Sequence, residues 1–173
     1  MDTVRLRDRI VALRRIKARD LQGHAHNWRT HPQFQQDALA AVIRDVGIAS
    51  ALLVYDSARQ GGLTVIDGHL RKETHPDFEW PCLMLDVNDA EADEILATHD
   101  PLAALAIGDT ERLSGLLHQV QSGEAAVQAL LSQVAESHGV TPPAFAPVGA
   151  DKQGRLDETK PITCPHCGEE FRL

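Results

Sequence analysis

The sequence predicts an α/β (α+β) domain that continues into a helical extension and a short cysteine-bearing tail. Three observations carry this. Short aliphatic and β-branched runs at residues 9–17, 51–55, 63–66 and 81–86 have the length and composition of strands. Helical periodicity lies between and after them, most clearly over residues 33–46 and 90–98. From Val140 the chain turns Pro-rich and polar, then ends in Cys-x-x-Cys.

The 173 residues suffice for one domain with appendages, or one domain and a very small second one. Apolar residues make up 43% and aromatics only 4%, so the core must be built from Leu, Ile, Val and Ala. No apolar run approaches the roughly eighteen residues of a membrane span. The basic start lacks the apolar stretch of a secretory signal. The expectation is a cytoplasmic protein without membrane contact, prokaryotic or phage in style. A net charge of −8 argues against non-specific coating of DNA. The charge is uneven, however: residues 1–31 carry eight Lys/Arg against three acids, and the rest nine against twenty-two. The basic segment can meet phosphates or pair with acids of the same molecule, and both readings stay open.

Taken in order, Ile10, Val11, Leu13 and Ile16 suit a strand better than a short helix, and residues 18–21 a brief helical turn. Residues 22–32 are polar and irregular. They hold His24, His26 and His31, which share no helical face and have no carboxylate beside them, so a metal site is not expected. A recognition loop is, with Asn27 and Arg29 holding a polar ligand and Trp28 packing or stacking. In the helix at 33–46, Phe34, Leu39, Val42, Ile43 and Val46 form the apolar stripe, and Gly47 is the stop. Residues 51–55 are a buried strand, 56–62 a hairpin loop with the Gly61-Gly62 turn signal, and 63–66 the returning strand. A loop at 74–80 leads to the strand at 81–86, where Cys82 reads as core. Asn88 or Asp89 caps the helix at 90–98, with Glu91 and Glu94 early, where the helix dipole favours acids. His99-Asp100-Pro101 reads as a polar break, and 102–107, 110–121 and 124–138 as further helices. The resulting divisions are 1–107, the α/β domain; 108–139, the helical extension; 140–160, a flexible linker; and 161–173, the tail.

The stretch from Leu63 to Glu73 concentrates the candidate chemistry. A strand breaks at Asp67-Gly68 and turns polar and basic. Gly68 permits a sharp turn. Free N–H groups at the start of a following helix, together with Arg71, would face one point and favour an anion. An ordinary strand-to-helix turn is the alternative.

Several pieces stand in a telling order. They are Asn27-Trp28-Arg29-Thr30-His31-Pro32, the helix at 37–47, Leu52-Leu53-Val54, Val65-Ile66-Asp67-Gly68-His69-Leu70-Arg71, Pro81-Cys82-Leu83-Met84-Leu85-Asp86, and Ala97-Thr98-His99-Asp100-Pro101-Leu102-Ala103. Over somewhat more than half its length the chain resembles the ParB N-terminal (ParB/sulfiredoxin-like) domain, including its small phage and mobile-element members. The opening of that family reads Asn-Pro-Arg-x-His-Pro. The resemblance implies a small mixed sheet flanked by helices. It also implies nucleotide phosphates on the turn of Gly68, His69 and Arg71, with Asn27 and Arg29 as a second element near the same pocket. His99 and Asp100 fall where partition-type members carry an asparagine- and arginine-containing phosphate motif; no arginine follows here. The nucleophilic cysteine that sulfiredoxins carry in the glycine turn is absent, which argues against sulfinic acid reduction. Partition proteins continue into a DNA-reading helix-turn-helix, whereas residues 110–138 contain one arginine, Arg112, and no lysine.

The tail, Cys164-Pro165-His166-Cys167-Gly168, looks like half a zinc ribbon. Cys164 and Cys167 would grip one structural zinc, with a second pair supplied by a homodimer mate or a partner protein. A metal-free tail and a redox pair are the alternatives.

The expected function is a regulatory or accessory module that binds phosphate groups, of a nucleotide or of DNA, at the Asp67–Arg71 turn. One alternative is a nucleotide hydrolase, phosphotransferase or ParB-like nuclease acting on a nucleotide triphosphate with Mg²⁺, with Asp67 and His69 as catalytic candidates. The other is a non-catalytic zinc-dependent adaptor.

Overall fold

A computed structural model describes residues 6–120 and 122–142, together with two short strands near the C-terminus. Its centre is a five-stranded mixed sheet in the order β1-β5-β3-β4-β2. The strands are β1 (Ile10–Lys17), β2 (Gln22–Gly23), β3 (Leu52–Ser57), β4 (Gly62–Asp67) and β5 (Glu79–Leu85). β5 runs antiparallel to β1 and parallel to β3, β3 and β4 form an antiparallel hairpin, and β2 joins β4 in parallel. Beyond the sheet come α1 (Gln33–Asp45), α2 (His69–Thr74), α3 (Asp89–Ala104), α4 (Thr110–Gln119) and α5 (Ala125–Ser137). The brief helical turn expected after β1 is a 3-10 turn, Ala18–Asp20.

The central strands bury both faces, which is why they read as continuous apolar runs rather than as alternation. Leu52 and Val54 on β3 join Val65, Trp80, Cys82 and Met84 in one cluster, against which Ile43 of α1 packs. The intervening Leu53 and Tyr55 join Ile66 in a second cluster, under Ala92, Ile95 and Leu96 of α3. The two-residue period of a strand thus divides one sequence run between two cores. Asn88 anchors α3 with a capping box: its side chain accepts from the N–H groups of Ala90 and Glu91, and Glu91 accepts the Asn88 N–H in return. α4 and α5 close over a small core of Leu117, Ala135 and Val140. α5 also lies against α1, tied there by the 2.7 Å Arg44–Glu124 pair and the Ser122–Asp45 hydrogen bond.

Three expectations need correction. α1 buries its bulky stripe only in part: Phe34 and Val46 at its ends are exposed, Leu39, Val42 and Ile43 are half-buried, and the fully buried positions are Ala38 and Ala41. Small side chains let neighbouring backbone approach closely, which periodicity of bulky residues cannot reveal. The hairpin loop is shorter than expected, because Ser57 and Gly62 pair within the sheet. The sequence His99-Asp100-Pro101 does not break the helix; α3 runs through Pro101 to Ala104. Proline already has a helical φ, and what it removes is one hydrogen bond to the carbonyl four residues back. Here that loss falls in the last turn, which is exposed to water on Leu102 and Leu105.

Near the C-terminus, β6 (Ile162–Thr163) and β7 (Glu170–Phe171) pair antiparallel. Cys164 and Cys167 lie outside the described residues, as does nearly all of the expected 140–160 linker. Among the described residues, no helix is long and apolar enough to cross a membrane.

Gly68 sets the exit from β4. Its φ is +99°, and a Cβ built there would stand 2.3 Å from Leu52 Cδ2 and 3.0 Å from Arg71 Nη2. Gly68→Ala therefore combines a left-handed backbone with an overpacked contact, and is expected to lower unfolding stability by about 2–4 kcal/mol. Urea denaturation of both proteins checks this.

Candidate functional site

The cavity at this turn is assembled from four parts of the chain. Asp67 ends β4, Gly68 makes the turn, and His69, Leu70 and Arg71 begin α2. The loop before α1 supplies Asn27, Trp28, Arg29 and His31. Gln35 and Leu39 come from α1, and Leu96, His99 and Asp100 from α3. Its volume is about 350 Å³, within the usual span of small-molecule sites. It lies at the carboxyl end of a central strand, where open α/β sheets commonly place ligands.

All seven residues that the sequence put forward for phosphate line this cavity: Asn27, Arg29, Gly68, His69, Arg71, His99 and Asp100. Continuity of α3 through Pro101 is what brings His99 and Asp100 to the wall. Two residues with no motif around them were missed. Ser50 lines the cavity and accepts a hydrogen bond from Arg71. Gln35 holds His31 through a 3.0 Å contact one helical turn away. Only the four-residue spacing of His31 and Gln35 carries any sequence signal.

The two arginines come from different parts of the chain, Arg71 from α2 and Arg29 from the loop before α1, and each has a carboxylate partner. Arg71 folds back over Gly68 and donates to Asp67 at 2.8 Å. Arg29 pairs with Asp100 of α3. The Arg29 guanidinium also stands 4.7 Å from the centroid of the Trp28 ring. The loop is held from within, since Asn27 Oδ1 accepts the Arg29 N–H and the Asn27 N–H donates to the carbonyl of His24. α2 is only six residues long, so its dipole is small and the arginines dominate the field.

His69 is buried beneath the cavity. Its Nε2 accepts the backbone N–H of His24, and burial pushes its pKa down to about 4 despite the nearby Asp67 carboxylate. It is therefore neutral at pH 7, with one nitrogen already occupied. Asp67 commits an oxygen to Arg71. Neither catalytic candidate stands as a free base.

Behind His69 lies a network that the sequence did not foreshadow. Asp93 of α3 reaches His24 and His26, so a carboxylate does accompany these histidines. Its oxygens are gripped by both Nη atoms of Arg59, at 3.1 and 2.9 Å. That grip, more than the hydrogen bond from His26, holds the Asp93 pKa at about 2. The His26 N–H donates to His24 Nδ1, which leaves the proton of a neutral His24 on Nε2, facing Asp93 and Tyr55. Burial lowers the pKa of His24, as it does that of His69. A metal would have to displace both Arg59 and that proton, so the cluster works as a hydrogen-bonded support. Tyr55 and Ser57 extend it to Asp89, at 3.0 and 2.6 Å.

No family model matches the chain, and no curated protein matches it in sequence. Among solved structures, it is similar to the C-terminally truncated chromosome-partitioning protein ParB from Caulobacter crescentus, complexed with CTP-gamma-S. The TM-score is 0.52 at 18% identity, over 76% of this chain and 73% of that one. The fold is ParB-like. The ParB-like body is where the cavity lies, between the glycine turn, the Asn27–His31 loop and α3.

The His69 environment makes stability depend on pH. Its pKa of about 4 lies below the ordinary 6.5, so the unfolded chain takes up the proton first. The contribution is complete above about pH 6.5 and shrinks as pH falls toward 4, by on the order of 3 kcal/mol in all. Urea denaturation at pH 7 and pH 4.5 should show a shallower loss for His69→Gln than for the wild type.

Proposed function

We propose that this ParB-like protein is a regulatory or accessory module that binds the phosphate groups of a nucleotide at the Gly68–Arg71 turn. One observation carries it: Arg29, from the loop before α1, and Arg71, from α2, line the same cavity together with the glycine turn at Gly68. Two guanidiniums so placed can hold a polyphosphate in bidentate fashion. The ParB of similar fold, crystallised with CTP-gamma-S, supports a nucleoside triphosphate as the ligand. Asp67 and Asp100 balance the arginines at rest, and both pairs are partly exposed. Such pairs contribute about 1 kcal/mol or less, so a polyphosphate can displace them. The carboxylates then released are oxygen donors of the kind Mg²⁺ takes, which fits a Mg²⁺-bound nucleotide. Binding without turnover is favoured over hydrolysis or nuclease chemistry because the His69 Nε2 stays occupied by the His24 N–H and a released Asp67 would be taken up by Mg²⁺.

Isothermal titration with CTP, ATP and short DNA, with and without Mg²⁺, tests this. At least one nucleotide should bind, and Arg71→Ala should weaken it by about tenfold or more while the far-UV spectrum is retained. Equal behaviour of wild type and Arg71→Ala toward every ligand would refute the site. Phosphate release or DNA cleavage that depends on Asp67 or His69 would replace binding with catalysis.

For the tail, the proposal is a structural zinc held by Cys164 and Cys167 together with the same pair of a second copy. The antiparallel β6–β7 pair brackets the Cys-x-x-Cys in sequence and supports a knuckle there. Metal analysis of the full chain should give about one zinc per two chains, and none after Cys164→Ser.

A further inference from the structure

Trp28 has an unusual position for a large aromatic in a chain that has only two tryptophans. Trp80 is 1% exposed and does core work, whereas Trp28 is 63% exposed. It lines the phosphate cavity and also a second, shallower hollow next to it, formed with Arg29, Thr30, His31 and Gln35. The loop bearing it is braced by the Asn27 side chain on the Arg29 N–H and by Gln36 on the His31 carbonyl. The Arg29 guanidinium stands over the ring at 4.7 Å, and its ion pair with Asp100 ties it to α3. The indole is therefore held by a cation at the cavity wall while much of its surface stays in water. Leaving so much apolar surface wet forgoes stabilisation that burial would give, and a flat, cation-backed ring is the surface on which a base stacks.

We propose that Trp28 is the nucleobase platform of this site. The base of a bound nucleoside triphosphate stacks on the exposed indole while its phosphates meet Arg29 and Arg71. This rests on the phosphate-binding reading above and adds to it the nucleoside end of the ligand. Stacking recognises a π-face rather than an edge, so the platform favours nucleotides over bare polyphosphate without choosing strongly between bases.

The experiment compares a nucleoside triphosphate with inorganic tripolyphosphate, both as Mg²⁺ complexes, on wild type, Trp28→Ala, Trp28→Phe and Arg71→Ala. Trp28→Ala should weaken the nucleotide by about tenfold and leave tripolyphosphate unchanged, and Trp28→Phe should restore most of the loss. Tryptophan fluorescence should respond to the nucleotide but not to tripolyphosphate, and the response should vanish in Trp28→Ala, because Trp80 is buried. If Trp28→Ala binds the nucleotide as wild type does while Arg71→Ala fails, the platform is refuted and the phosphate site stands. If Trp28→Ala weakens both ligands equally, the tryptophan acts only by placing Arg29, and the platform is again refuted. If wild type binds neither ligand, the phosphate site fails and takes the platform with it.

Discussion

The left-handed backbone at Gly68, with Leu52 pressed against its α-carbon and the Arg71 guanidinium folded over it, determines where β4 ends and how α2 leaves the sheet. Without that close approach Arg71 could not turn back to Asp67 and Ser50. The cavity would then lose the arginine that α2 brings to its lining. Leu52 belongs to the same core cluster as Val54 and Val65, so the turn is held by the packing of the central strands.

Charge within the cavity follows a second constraint. Two arginines in a confined site need partners when no ligand is present, and Asp67 and Asp100 provide them. These pairs are weak enough to be exchanged, because water still reaches them. The buried support is built differently. Around His24, His69, Tyr55 and Asp89 every group is hydrogen-bonded, and no buried side-chain polar atom among the described residues lacks a partner. Burial keeps His69 neutral, so this histidine adds no positive charge beside the arginines of the cavity.

Much of this could be read along the chain. Four of the five strands of the sheet announced themselves by composition, while the two-residue β2 lay in a stretch that reads as irregular; α3 was announced by a capping residue at Asn88 or Asp89 with early acids, and the turn at Gly68 by a glycine between an apolar strand and a basic segment. Misreadings arose where an outcome depended on what lies across the fold. Phe34 and Val46 have the right period for a core stripe, yet α1 buries Ala38 and Ala41. Pro101 has the reputation of a breaker, yet in an exposed last turn it removes only one hydrogen bond. The histidines of residues 22–32 had no carboxylate near them in sequence, whereas Asp93 stands beside them in space, some seventy residues further along the chain.

What the sequence determined by itself was local: the identity of most strands and helices, a capping residue ahead of α3, a glycine turn after β4, and the residue types able to meet a phosphate. These depend on interactions within a few residues, so they are written in short windows. Tertiary structure decided the pairings of Arg29 with Asp100, Arg71 with Ser50, and Asp93 with His24, His26 and Arg59. It also decided which face of α1 is buried, and it left Trp28 at the lip of the cavity while Trp80 went to the core. Each of these depends on side chains that meet only after the mixed sheet has brought β3, β4 and the two flanking helices together, and no periodicity along the chain encodes such a meeting.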